Sequence, residues 1–155
     1  MVPTEHASEP VRSILVPTDG SDVANAALDR AVALAADVDG TVHVLAVVDT
    51  TTDPLRFDSG LVADIEDAKN ELVEDVLEAV DGRQVEVSGA VRRGRPASTI
   101  VDYASEIDAD LIVVGRTGES RTAAALLGST ADRVVRTASV PVIVVPDPET
   151  DETAD

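Results

Sequence analysis

Five short runs limit what this chain can fold into: SILVP at 13–17, TVHVLAVV at 41–48, QVEVSGAV at 84–91, LIVV at 111–114 and PVIVV at 141–145. Each has the length of a β-strand. Between them, apolar residues recur at helical spacing. Ala24, Ala27, Leu28, Ala31, Val32 and Ala35 form one stripe, and Leu61, Ile65, Ala68, Leu72, Val76 and Ala79 a longer one. Ile100, Val101, Ala104 and Ile107 give a third, and Val134, Val135 and Ala138 a fourth. Ser21 and Asp22 supply helix-start chemistry, and Pro96 suits a first helical position. The stretches 49–60 and 92–96 (RRGRP) read as loops.

Apolar strands alternating with amphipathic helices predict a parallel sheet covered on both faces. Right-handed crossovers leave few topologies. The run at 84–91 alternates polar and apolar residues, so it has one wet face and belongs at an edge. The expected fold is α/β: a doubly wound five-stranded parallel sheet, order 3-2-1-4-5, with helices on both faces. Its switch point falls between strands one and four, and ligands bind there, beyond the carboxyl ends. Those ends are Pro17-Thr18-Asp19 and Gly115. The last strand becomes the other edge, yet it is apolar throughout. An uncovered apolar edge invites another chain, so a homodimer through Pro141–Val145 is expected.

The 155 residues fit one domain with a single core. The domain is placed at 12–146, with a flexible extension at 1–11 and an acidic flexible tail at 147–155. Only 1% of residues are aromatic, so Val, Leu, Ile and Ala must build the core. There is no cysteine, which excludes disulfides, thiolate catalysis and Cys-type zinc sites. Thirty acidic residues face twelve basic ones, eleven of them Arg, for a formal charge of −18. Such a surface repels nucleic acid and anionic membranes. Molar salt shortens the Debye length to about 3 Å and removes most of the self-repulsion. Near-absence of Lys and small core residues favour a halophile's protein. No apolar run approaches a membrane helix and no leader is legible, so the expected location is the cytoplasm.

Residues 115–130, GRTGESRTAAALLGST, bear on function. Glycines let backbone approach a ligand closely. Gly128-Ser129-Thr130 stands where the last helix begins, and helix N-termini offer free N–H groups to anions. The other reading is two turns and a helix cap, and the pattern alone leaves both open. Charge favours the first: Arg92, Arg93, Arg95, Arg116 and Arg121 follow strands three and four. They could equally balance nearby acids.

The spacing Gly115-x-x-Gly118, nine residues, then Gly128-Ser129 resembles the ATP-binding branch of the universal stress protein family. ILVPTDGS, DADLIVVG and SVPVIVV look like that family's first, fourth and last strands, and the resemblance spans about residues 12–146. It implies that Asp19, flanked by Pro17 and Thr18, lies by the base and ribose. It implies a main-chain contact to adenine from Val47, and a place near the ribose for Gly115. Gly118, Gly128 and Ser129 would hold phosphates, with Thr130 contributing, and Arg116 lies between the first two glycines. ATP with Mg²⁺ or Mn²⁺ is the implied ligand, and dimerisation through the last strand the implied assembly. The expected function is a cytosolic stress-response regulator or nucleotide sensor with little or no hydrolysis. The alternatives are a ligand-free dimerisation module, or a slow ATP-hydrolysing or adenylyl-transfer enzyme.

Other residues are given structural readings. His43 sits in a strand, and His6 near the start, with no second histidine to form a metal pair. Asp49 and Asp53 are loop acids with only a weak claim to a metal. No catalytic residue or metal ligand is assigned. No G-x-x-x-x-G-K-[ST] occurs, nor a Ser-His-Asp or Cys-His set.

Overall fold

The structure is a computed structural model that describes residues 10–51, 59–117 and 127–148. Strands β1 (Ser13–Pro17), β2 (Thr41–Asp49), β3 (Glu86–Gly94), β4 (Leu111–Gly115) and β5 (Val142–Val145) alternate with helices α1 (Asp22–Val38), α2 (Ser59–Val80), α3 (Pro96–Glu106) and α4 (Ser129–Thr137). All strand pairs are parallel, in the order β3-β2-β1-β4-β5. The polar alternation at 84–91 placed β3 at the edge correctly.

The period-2 alternation of side chains divides the core between the two faces. Ile14 and Val16 of β1, with Val42, Val44 and Val113, pack under Ala27, Ala31 and Val32 of α1 and Val76 and Val80 of α2. Leu15, Leu45, Ile112 and Val114 point the other way, against Ala97, Ile100 and Ala104 of α3 and Val134 of α4. Ile14, Leu15 and Val16 are all fully buried, which is why β1 is apolar throughout. Each such side chain contributes about 1.5–3 kcal/mol of transfer free energy.

Ser21 caps α1, its Oγ accepting from Ala24 N at 3.3 Å, and Pro96 occupies the first turn of α3 as its fixed φ allows. One boundary differs from expectation. Residues 92–94 are strand rather than loop, because β2 is nine residues long and pairs with β3 along its whole length, Val47 with Arg92 and Val48 with Arg93. Arginines on an edge strand reach water without leaving the ladder. At the opposite edge, Ile143 of β5 is 36% exposed.

Candidate nucleotide site

A crevice opens because the ladders around β1 are unequal. β1 stops at Pro17, which has no N–H to donate and pairs with Leu45. β2 continues past that point to Asp49. The β1–β4 ladder covers only Ile14–Leu111 and Leu15–Ile112. The central strands therefore part at their carboxyl ends, at the switch point.

The chain after β1 is pinned by its own polar groups. Thr18 N donates to Leu45 O at 2.8 Å, and Thr18 Oγ1 accepts from Gly20 N at 3.1 Å. Asp19 Oδ1 accepts from Ser21 N at 2.9 Å, which orients the carboxylate and leaves Oδ2 without a partner among the described residues. The bond to Leu45 O also fixes the orientation of β2. Main-chain groups two residues apart face the same neighbour. The N–H and C=O of Val47 therefore face the side where β1 has already ended.

The other wall is the start of α4. Gly128 is its N-cap, and Gly128 N donates to Arg116 O at 2.7 Å. The first helical bond runs from Asp132 N to Gly128 O at 2.9 Å. The N–H groups of Ser129, Thr130 and Ala131 precede it and receive no side-chain cap. Ser129 is the first helical residue and not the cap, so its hydroxyl is not committed to the helix.

These walls enclose a cavity of about 410 Å³. It brings together Pro17, Thr18, Asp19, Val47, Gly115, Gly128, Ser129 and Thr130, all named from the sequence. Gly118 and Arg121 lie outside the described residues. Arg116 is not in the lining; its N donates to Val145 O at 2.7 Å and its O accepts from Gly128, joining β4 to β5 and α4. Gly115 lines the cavity, but its missing side chain answers to packing: a Cβ there would lie 2.9 Å from Val23 Cγ2 and 3.1 Å from Val23 O.

Sequence reasoning missed several lining residues. Leu45, Ile100 and Val114 give apolar walls. Lys69, the chain's single lysine, reaches the lining from α2, and Asp49, read from the sequence as a loop acid with a weak claim to a metal, ends β2 and lines the cavity as well. Lys69 lies one helical turn before Leu72, which sits against Gly20, a docking that no local pattern in the sequence indicates. Thr117 is 6% exposed and also lines the cavity, yet its Oγ1 has no hydrogen-bond partner among the described residues. Buried hydroxyls are nearly always bonded, so this one marks a place for a ligand atom.

The arginine cluster divides. Arg93 pairs with Glu66 through Nε at 2.7 Å and through Nη2. Arg92 pairs with Glu106 at 3.0 Å and lies 4.9 Å from the centre of the Tyr103 ring. These two balance nearby acids and do not line the cavity. His43 is also elsewhere, its Nδ1 3.1 Å from Ser88 Oγ; burial lowers its pKa, partly opposed by the charge of Glu86. Among the described residues no three His, Asp or Glu side chains gather as a metal cluster, and no helix is long and apolar enough to cross a membrane.

Comparison with known proteins agrees with this architecture. The family model of the Universal stress protein family matches residues 10–146. Universal stress protein MJ0531 of Methanocaldococcus jannaschii is 34% identical over 142 residues, covering 89% of this chain and 84% of that protein. The solved structure of the hypothetical protein MJ0577 superposes with a TM-score of 0.81 at 28% identity, covering 92% of this chain and 100% of that one. A universal stress protein solved in complex with cAMP superposes with a TM-score of 0.71 at 25% identity, covering 90% of this chain and 99% of that one. With a family match over nearly its whole length and relatives of the same fold, this chain belongs to the universal stress protein family.

Proposed function

We propose that this protein is a cytosolic ATP-binding regulator, a nucleotide sensor with little or no hydrolysis, working as a homodimer in a high-salt cell. One observation carries the ligand assignment. The cavity sets an open strand edge at Val47 against the unbonded N–H groups of α4. Adenine presents an acceptor, N1, beside a donor, the N6 amine. The N–H and C=O of Val47 complement that pair. Leu45, Ile100 and Val114 suit the faces of the base, and Asp19 Oδ2 suits a ribose hydroxyl.

Phosphates fit the other wall. Ser129, Thr130 and Ala131 offer backbone N–H groups at a helix start, where partial positive charge favours anions. Thr117 Oγ1 and Lys69 would add a hydroxyl and a cation. A Mg²⁺ or Mn²⁺ ion fits a site with two carboxylates, Asp19 and Asp49, provided phosphates complete its oxygen shell. Bound nucleotide would be read through the dimer, for which the exposed Ile143 on edge strand β5 is the motivating feature.

Calorimetry with ATP and GTP in molar KCl and Mg²⁺ tests this reading. Guanine places a donor where adenine has N1, so GTP binds at least about tenfold more weakly than ATP. Equal affinity for the two would remove Val47 as the base reader.

A further inference from the structure

Among the described residues, α2 contributes one side chain to the cavity lining, Lys69. It is also the one cation there, beside the carboxylates of Asp19 and Asp49. We propose that Lys69 ties an anionic group of the bound ligand to α2, so that filling the cavity stiffens the amino half of that helix. This rests on the nucleotide reading of the cavity, and it names the element through which the site signals that it is filled.

Three observations carry it. First, Lys69 is uncommitted. It makes no ion pair with any described residue, in a chain with 30 acids. Glu66, one helical turn before it, is taken by Arg93, whose Nε donates to Glu66 Oε1 at 2.7 Å. Second, the residue type is an exception. The other eleven basic residues are all Arg, and the one Lys stands at the cavity. An ammonium on a flexible four-carbon stem can reach from a helix to a single oxygen, where a planar guanidinium needs a matching fork of acceptors.

Third, α2 is held unevenly along its length. Its carboxyl half is locked to the sheet. A Cβ on Gly89 would lie 2.3 Å from Val73 Cγ1, one on Gly20 would lie 3.4 Å from Leu72 Cδ1, and Val76 and Val80 belong to the core. In the amino half Val62 is the buried apolar side chain, Leu61 is 41% exposed, and the Glu66–Arg93 pair is open to solvent. Exposed ion pairs add little stability, so this half opens more readily than the other. Lys69 stands at the boundary between the two, and a charge-assisted bond there adds a tether where the helix has few. Ligand binding and helix ordering are then linked, each favouring the other. Independently, the buried Thr117 Oγ1, without a partner among the described residues, marks the cavity as a place for a polar ligand atom.

The test is amide hydrogen exchange on the full chain in molar KCl and Mg²⁺, with saturating ATP, with saturating adenosine and with neither, for wild type, K69Q and K69R. ATP should slow exchange at residues 61–69 of the wild type by at least about threefold, and adenosine, which has no anionic group, should not. At equal ATP occupancy K69Q should lose that protection while residues 73–80 exchange as in wild type, and K69R should recover part of it. By calorimetry K69Q should bind ATP about 3–10-fold more weakly and adenosine within about twofold. Lys69 is the only side-chain amine, so acetylation mapped by mass spectrometry reports on it alone, and ATP should protect it. A wild type that binds ATP without protection of 61–69 overturns the proposal and leaves the nucleotide reading standing. So does equal protection by ATP in wild type and K69Q, equal protection by ATP and adenosine, or an unchanged rate of Lys69 acetylation. Failure of both ATP and adenosine to bind removes the nucleotide reading and this proposal together.

Discussion

The two ends of the sheet treat their polar groups differently. At the amino end, the chain satisfies itself. Asp110 Oδ2 accepts from Arg12 N at 2.9 Å and Ser13 N at 3.0 Å, while Asp110 N donates to Ser13 O at 2.7 Å and Thr41 N to Arg12 O at 2.8 Å. Among the described residues, Ser13 Oγ is the buried side-chain atom left without a partner there. At the carboxyl end, groups of comparable strength wait for a partner: the edge of Val47, the first N–H groups of α4, and Thr117 Oγ1. Parallel strands and helices of similar composition build both ends. What differs is that β1 stops early and a helix starts beside it, so one end is a closed seam and the other a receptor.

Breaking the closed end has the largest effect on the fold. Asp110→Ala strips the acceptor from two main-chain donors and should cost about 2–3 kcal/mol in urea denaturation, with ligand affinity unchanged. A matching loss of affinity would mean that the two ends are coupled. Next is Gly115→Ala, at the open end. Its Cβ would press on Val23, so about 1–3 kcal/mol of stability should be lost. Adding Val23→Ala should recover part of that loss, because two of the three close contacts are with Val23 side-chain atoms.

Thr117→Val separates the ends most cleanly. Removing an unsatisfied buried hydroxyl should raise the stability of the ligand-free protein by up to about 1 kcal/mol, while nucleotide affinity falls about five- to tenfold. A destabilised variant with unchanged affinity would make Thr117 a structural residue. The smallest effect is at His43. Burial lowers its pKa in the fold, so below about pH 6.5 the unfolded chain binds more protons and the folded state loses stability as pH falls. Between pH 7.5 and 5.5, His43→Gln should lose less stability than wild type. An identical slope for both would remove His43 as a contributor.

Much of this was legible in the sequence because the signals are local. β1 is buried on both faces and reads as continuous Ile-Leu-Val, while β3 is wet on one face and alternates, and this difference ordered the sheet. Pro17, Thr18 and Asp19 were named from their place at a strand end. The rest depends on residues distant in sequence. The sequence left open whether Arg92 and Arg93 face an anion or balance acids, because their partners Glu106 and Glu66 lie 14 and 27 residues away. Lys69 and Asp49 reach the cavity only through the docking of α2 and the length of β2. Gly115 was assigned to the ligand, but its lack of a side chain also answers to the first turn of α1, which no local pattern could indicate.

The central claim is that the open end of the sheet is an adenine-nucleotide site. The direct measurement is to purify the protein in molar KCl without added nucleotide, denature it, and quantify the released small molecules by mass spectrometry. The account predicts an adenine nucleotide, principally ATP, in near-stoichiometric amount. Release of no adenine nucleotide, together with no ATP binding by calorimetry in Mg²⁺ at high salt, would contradict it.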